Sequence, residues 1–588
     1  MRMHQQPAPR AAQSNTAHPE RAKRHRRFNR FTAFAAASAA ALLALTACSI
    51  KITSQPDPSI PKDTMLLAAD KGTPMMEKNF NPYLSNKRVA ASYIYEPLLV
   101  TNALDGKQTP WLASGYTLPN ASTIDYTIRS GVKWSDGQPF TASDVKFTFD
   151  LLKKYPTLDI KGAWQHIDSM QVEDRGASGQ HLVVKLKGAD APAQSIISLT
   201  LIVPEHLWKD QPNPDTWRNP DPVGTGPYTL GNFAAQQYTM NKNQDYWQAD
   251  KIQVNHLVLP ASTSQLDVVT KGFDWAYAYM SNVQGTWEAA NPGNKYWFPP
   301  GGVISLVPNL SKAPFSDLKV RQGISLALDR DKIAGVATEN YMQAAGQTGL
   351  LLPNQQDQLD PSIADQGIVK QNTKAALEAF AQAGYTQQDG KLVNAAGKQL
   401  SFAITTANGY TDWLRAVQEV RKQLAALGIQ VDIKQPQPAG YQQAIQNGDF
   451  EVAMGGMGGG DLFQAFNNLL SSEFYAPVGK QAAANFQRFK DPAVDVLLDD
   501  YKKTTDPKQQ TQLNYKLQQA VYTQLPVIGM YYGGLWGLYN TSKFTGWPDA
   551  NNPYAPPQTY DSTPLLVFTH LKLVGADAQA GNAAAKEG

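Results

Sequence analysis

The chain has 588 residues, and its eight histidines are poorly placed for chemistry. His4, His18 and His25 precede a long uncharged segment, while His166, His181, His206, His256 and His570 are scattered with no i,i+4 pair. A zinc centre needs at least three convergent ligands, so the sequence points to no metal site. Neither a Gly-x-Ser-x-Gly elbow nor a Walker loop nor a dinucleotide fingerprint is present. The run Gly455-Gly456-Met457-Gly458-Gly459-Gly460 lacks the Lys-Ser/Thr and the nearby basic residues of a phosphate cradle, and reads instead as a loop where backbone closely approaches a neighbour or a ligand. Carboxylates are plentiful, and a glycosidase pair is left open because its separation is invisible in sequence. What remains for covalent chemistry is Cys48, the only thiol.

Cys48 follows Leu45-Thr46-Ala47. Upstream lie Arg21, Lys23, Arg24, Arg26, Arg27 and Arg30, then the uncharged stretch 31–47, which is the layout of an export signal. Seventeen residues rich in Ala and Ser are marginal for a spanning helix. The run resembles a bacterial lipoprotein signal, which implies cleavage before Cys48 and acylation of its thiol. A plain signal cleaved after Ala47 and an ordinary membrane anchor are the alternatives. Two acyl chains hold a protein stably on a membrane. The expected place is therefore the extracellular face of the cell membrane.

Removing 1–47, with eight basic residues and one acid, leaves 45 basic and 49 acidic groups, so the formal charge changes from +3 to −4. A faintly acidic surface without basic runs argues against nucleic acid as a partner. With one cysteine the exported body owes nothing to disulfides, and its size calls for two or three domains. Residues 48–62 read as a proline-rich linker and 575–588 as a fraying tail.

Aromatic surface is the abundant resource, with twelve Trp and twenty-five Tyr. In Tyr531-Tyr532-Gly533-Gly534-Leu535-Trp536-Gly537-Leu538-Tyr539-Asn540, glycines beside large rings leave ring faces uncovered, and Asn540 adds an amide. Flat rings flanked by amides suit sugars, and they also suit peptides. The bland reading of any one ring is core packing.

These groups must be positioned by alternating strands and helices. Residues 124–129 and 181–186 show the two-residue period of half-buried strands. Thr141 is placed to cap a helix, with Asp144 completing a capping box. The spacing of Val320, Ile324, Leu328 and Ile333 predicts one helix over 317–336. Strand 401–406, helix 411–427 ending at Gly428, and strand 429–434 form a predicted crossover of a parallel or mixed sheet. Mixed α/β lobes are the expectation.

Five separated motifs carry a resemblance. They are Asn81-Pro82-Tyr83, Ile94-Tyr95-Glu96-Pro97-Leu98, the segment 126–145 with Trp134-Ser135-Asp136-Gly137, Gly224-Thr225-Gly226-Pro227-Tyr228, and Val320-Arg321-Gln322-Gly323-Ile324 running on to Asp329-Arg330. In this order the chain resembles the oligopeptide/dipeptide/nickel class of bacterial extracellular solute-binding proteins, family 5. The resemblance implies an α/β, bilobal periplasmic-binding-protein-like fold of type II with an extra third domain. It places lobe I at 63–98, 222–303 and 530–574, the extra small domain at 99–221, and lobe II at 304–529, with ligand held between the large lobes. The motifs themselves read as scaffold: a tight turn at Gly137 and a helix-start carboxylate at Asp144.

The class takes peptides, nickel complexes, opines or oligosaccharides. Peptide receptors of the class carry an aromatic-rich segment with an amine-holding aspartate where this chain has glycines before Asp461. Asp461 keeps an oligopeptide ligand open. The runs 466–472 and 531–548, with Asn552-Pro553-Tyr554, are similar to the branch that binds cellobiose, xylo- and other β-linked oligosaccharides. The implied protein is a monomeric, non-catalytic receptor that serves an ABC importer and its permease subunits and carries no cofactor or metal. Candidate contacts are Trp275, Trp413, Trp536 and Trp547 as stacking surfaces, with Asn79, Asn282, Asn467 and Asp461 for hydroxyls, and Tyr532 as a further ligand-binding residue. An enzyme and a structural or adhesion protein are the competing classes.

Overall fold

Among the described residues the strand pairings define three sheets of four or more strands. In the computed structural model, residues 60–575 are described apart from 71–74 and 265. Cys48 and its signal, linker residues 48–59 and the tail beyond 575 lie outside the described residues. A seven-stranded mixed sheet runs in the order Asn294–Trp297, Gly537–Asn540, Trp275–Tyr277, Thr64–Ala68, His256–Pro260, Gln237–Lys242, Tyr228–Ala234. A five-stranded sheet has the order Gln430–Lys434, Ser401–Thr405, Val452–Met457, Pro300–Pro308, Ile528–Gly534. Four antiparallel strands between Ala113 and Leu186 make a third sheet. The architecture is thus a bilobal α/β fold with an extra domain, as the motifs imply.

The local expectations hold where periodicity is clean. Thr123–Ile128 alternates buried and half-buried positions, and it pairs with Gln180–Leu186. Thr141 and Asp144 form both halves of the capping box at the start of helix Ala142–Lys154. Ser401–Thr405 pairs in parallel with Gln430–Lys434, joined by helix Thr411–Ala425, which buries Ala416, Val417, Val420 and Leu424. Gly428, at φ +81°, ends that helix and returns the chain to the sheet.

One helix is two. The chain is extended at Leu328, and the Asp329 carboxylate accepts the Lys332 N–H at 3.0 Å, capping a new helix Arg330–Thr338 after Leu318–Ala327. Val320, Ile324, Leu328 and Ile333 still enter one core, so the apolar spacing runs on across a break it cannot report. The lobe crossings also shift. Strand Pro300–Pro308 carries 300–303, and strand Ile528–Gly534 carries 530–534, in the five-stranded sheet. The chain therefore passes between the large lobes at 298–299 and 535–536, rather than at 303/304 and 529/530.

Candidate functional site: a cleft and the hinge beside it

Three segments follow the carboxyl ends of neighbouring parallel strands and converge on one cavity. Tyr410 and Trp413 come after Ser401–Thr405, Tyr441 after Gln430–Lys434, and Gly458 to Asp461 after Val452–Met457. Crevices outside the carboxyl ends of such strands are where open α/β sheets bind ligands. The cavity measures about 1020 Å³. Its other walls come from 82–103, 152–201 and 558–563, so lobe I and the small domain face lobe II across it.

The lobe II wall is aromatic. Tyr410 and Trp413 have ring centroids 5.1 Å apart, and Trp413 and Tyr441 are 6.0 Å apart, each pair edge to face. Tyr441 is anchored by donating its hydroxyl to the Met454 carbonyl, whereas Tyr410 is 46% exposed and Trp413 half-buried. Rings held edge to face by neighbours leave other faces for a ligand to cover.

Five acids and bases line the cavity: Lys87, Asp159, Lys161, Asp461 and Asp561. Asp159 accepts the Ala163 and Trp164 N–H groups, both at 2.9 Å, and so caps a short helix. Asp461 caps helix Leu462–Leu470 by accepting the Gln464 N–H at 3.0 Å, with the Ser195 hydroxyl alongside. Burial raises the Asp461 carboxyl above the ordinary aspartate range, and these hydrogen bonds oppose it. Desolvation lowers the Lys87 ammonium; Asp561 opposes that shift and Lys161 adds to it.

The glycine run serves close approach between backbones. Gly458, Gly459 and Gly460 all have positive φ, and a Cβ on Gly459 would stand 2.9 Å from the Gly301 carbonyl oxygen. Gly460 donates its N–H to Ala103 O at 3.0 Å, tying this loop to the chain entering the small domain.

Of the residues singled out in the sequence, the cavity gathers Trp413 and Asp461. Trp275 is 0% exposed, its Nε1 donates to Pro557 O at 3.0 Å, and its ring meets Trp547 and Phe568. Trp547 is buried and stacks on Tyr539 at 5.1 Å. Asn79 is buried and organises a turn, donating to Asn86 Oδ1 and accepting the Asn81 N–H. Asn282 is exposed and caps a short helix. Asn467 is buried on helix Leu462–Leu470, and its Oδ1 has no protein partner. Tyr532 is buried, its hydroxyl accepting the Leu352 N–H at 3.4 Å.

Trp536 lies on a crossing segment, between strands Ile528–Gly534 and Gly537–Asn540. Its ring packs edge to face on Tyr279 at 4.9 Å and Phe298 at 5.0 Å, and its carbonyl accepts the Ala278 N–H. A Cβ on Gly534 would stand 2.5 Å from this ring, so the glycine is bare because the indole itself covers it. The expectation that glycines here leave ring faces open is corrected on that ground. Beside this hinge, Glu339 of lobe II accepts from Ser281 Oγ at 2.6 Å, the Asn282 N–H at 2.8 Å and Tyr279 OH at 3.2 Å, all in lobe I. Arg415 donates to the same carboxylate at 3.2 Å.

Sequence reading missed Tyr410, Tyr441, Lys87 and Lys161. The first two carried a signal, since the crossover 401–434 places them where its strands end.

A large cleft between two α/β lobes joined by paired crossings, walled by rings, amides and charges, defines a two-lobed solute-binding architecture. Residues 107–475 match the middle region of the bacterial extracellular solute-binding proteins, family 5, and the chain belongs to that family. It is 26% identical over 387 residues to the peptidoglycan-binding protein YepA of Agrobacterium fabrum, covering 56% of this chain and 62% of that protein. The match thus spans less than two thirds of that relative. A putative ABC transporter peptide-binding protein of Brucella ovis is 24% identical over 520 residues, 84% of this chain and 93% of its own. Among solved structures, a periplasmic oligopeptide-binding protein of Thermotoga maritima superposes with a TM-score of 0.78 at 24% identity, over 87% of this chain and 99% of that one. Its mannohexaose-bound form gives 0.71 at 24% identity, over 88% and 99%. At these identities the likeness establishes the fold.

Proposed function

We propose that this protein is a lipid-anchored, non-catalytic substrate-binding receptor of an ABC importer, capturing β-linked gluco- or xylo-oligosaccharides between its lobes. The observation that carries this reading is the row Tyr410, Trp413, Tyr441 along one wall of a cavity of about 1020 Å³. A cavity of that size holds several sugar rings or a short peptide. Pyranose C–H faces stack on indole and phenol rings, and hydroxyls find amides such as Gln442, Gln464 and Gln558 around the same space. The mannohexaose held by the Thermotoga protein supports a sugar on this fold. Cys48, behind its uncharged segment, supports the anchor.

Oligopeptide is the second reading, favoured by the relatives named as peptide-binding and by the charged groups of the cavity wall. Calorimetric titration with cello-, xylo- and manno-oligosaccharides beside tri- to pentapeptides separates the two. Saturable heat from at least one sugar series, with the sugar recovered intact, is expected. Heat from peptides only would overturn the sugar reading, and shortened sugar would overturn the receptor. Mass spectrometry of the exported protein should find acyl chains on Cys48, and Cys48→Ser should release it into the medium.

A further inference from the structure

The cavity wall carries two ammoniums, Lys87 and Lys161, beside three carboxylates, Asp159, Asp461 and Asp561. Asp159 has both carboxylate oxygens engaged by backbone N–H groups at 2.9 Å, and Asp461 is committed to its helix cap. Both carboxylates are thus anchored to backbone and held in fixed positions. Asp561 is exposed at the rim. Its charge supports the Lys87 ammonium through space. Lys87 is half-buried, its Nζ holding only a long 3.5 Å contact with Leu84 O, and Lys161 is exposed. Among the described residues neither has a carboxylate within ion-pair reach. Desolvation lowers the Lys87 ammonium, so its charged form would gain from an anion placed against it. An unpaired cation inside a cavity is costly unless a ligand completes it.

We propose that the ligand of this cleft is an oligosaccharide bearing a carboxylate, such as a uronic acid residue, whose carboxylate is held by Lys87 with Lys161 beside it while a neighbouring ring stacks on the Tyr410 and Trp413 wall. The proposal rests on the oligosaccharide reading above and narrows it. Aromatic and cationic features share one cavity. A neutral sugar would leave Lys87 desolvated, with only the through-space charge of Asp561 to support it. A charged ligand instead makes a charge-assisted hydrogen bond, roughly twice as strong as a neutral one.

The test pairs each neutral cello- or manno-oligosaccharide with its counterpart oxidised to a carboxylate at the terminal C6, and each xylo-oligosaccharide with its glucuronosyl-branched form. Full-length protein is titrated with every pair at low and high salt, with tri- to pentapeptides alongside. The expected result is an acid-to-neutral affinity ratio of about ten or more in at least one pair, shrinking as salt screens the pair. Lys87→Met should bring that ratio close to one, and Lys87→Arg should keep most of it. Lys374→Met, on an exposed helix far along the chain, should leave it intact. Unfolding midpoints check that each variant folds. If Lys87→Met does not fold, Lys161→Met carries the test with a smaller expected loss. Equal binding of acid and neutral sugars, or a ratio that survives both lysine variants, overturns this proposal and leaves the oligosaccharide reading standing. Heat from peptides and from no sugar overturns both.

Discussion

Two aromatic regions of this protein look alike in composition and differ in what surrounds them. Around the crossing at 535–536, glycines and rings alternate, yet a neighbour lies where each ring face would open: Trp536 covers Gly534, and Pro557 covers Gly537. Around the crossover 401–441 the rings are fewer, but they stand past the ends of parallel strands and line the cavity, with Tyr410 exposed and Trp413 half-buried. The contrast teaches that a ring becomes a binding surface through its place in the topology. The same indole is core in one place and cleft wall in the other.

The largest effect that would sharpen this contrast is on stability. Trp275→Ala removes a fully buried indole and orphans Pro557 O, so it should destabilise the fold by about 3–5 kcal/mol. Calorimetry should show a lowered unfolding midpoint, and an unchanged midpoint would place Trp275 outside the core. Gly534→Ala comes next, at about 1–3 kcal/mol, because its methyl must displace the Trp536 ring from between Tyr279 and Phe298. Its intrinsic tryptophan fluorescence should shift as well, and an unaltered spectrum would refute that packing. Trp413→Ala should behave differently, with a smaller drop in midpoint than Trp275→Ala and roughly tenfold weaker ligand binding, from about 1–2 kcal/mol of stacking and burial. Unimpaired binding by Trp413→Ala would collapse the distinction between the two regions.

Much of the fold was legible because periodicity and caps are local. The Thr141 and Asp144 box, the strands near 124 and 181 and the crossover closed by Gly428 each follow from a few neighbouring residues. The break at Asp329 was not legible, since both helices send apolar residues into one core and the spacing survives the interruption. Of the candidate cavity wall, the sequence reading names Trp413 and Asp461. Lys87 and Lys161 resemble any surface lysine until the small domain and lobe I are set against lobe II. Trp275 and Trp547 resemble stacking residues until the fold packs them against each other and against Phe568 and Tyr539. Ring exposure is a tertiary property, and composition carries little of it.

The smallest effect concerns the hinge, where the contrast is between an aromatic filling and a polar tie. Desolvation alone would raise the Glu339 carboxyl, but hydrogen bonds from Ser281, Asn282 and Tyr279 and the charge of Arg415 outweigh it and hold it below the ordinary glutamate value of 4.5. A carboxyl depressed in the folded state contributes stability at pH above its unfolded value and loses that contribution as pH falls through the folded value. The tie joining the lobes should therefore be complete at neutral pH and weaken below about pH 4.5. The groups are partly exposed, so the contribution should stay within about 1 kcal/mol. Glu339→Gln keeps the shape and removes the charge. Its unfolding midpoint should lie slightly below that of the parent at pH 7, and the two should converge as the pH drops toward 3. A gap that stays constant over this range would mean that the carboxylate's charge contributes nothing, and that Tyr279, Phe298 and Trp536 hold the crossing by packing alone.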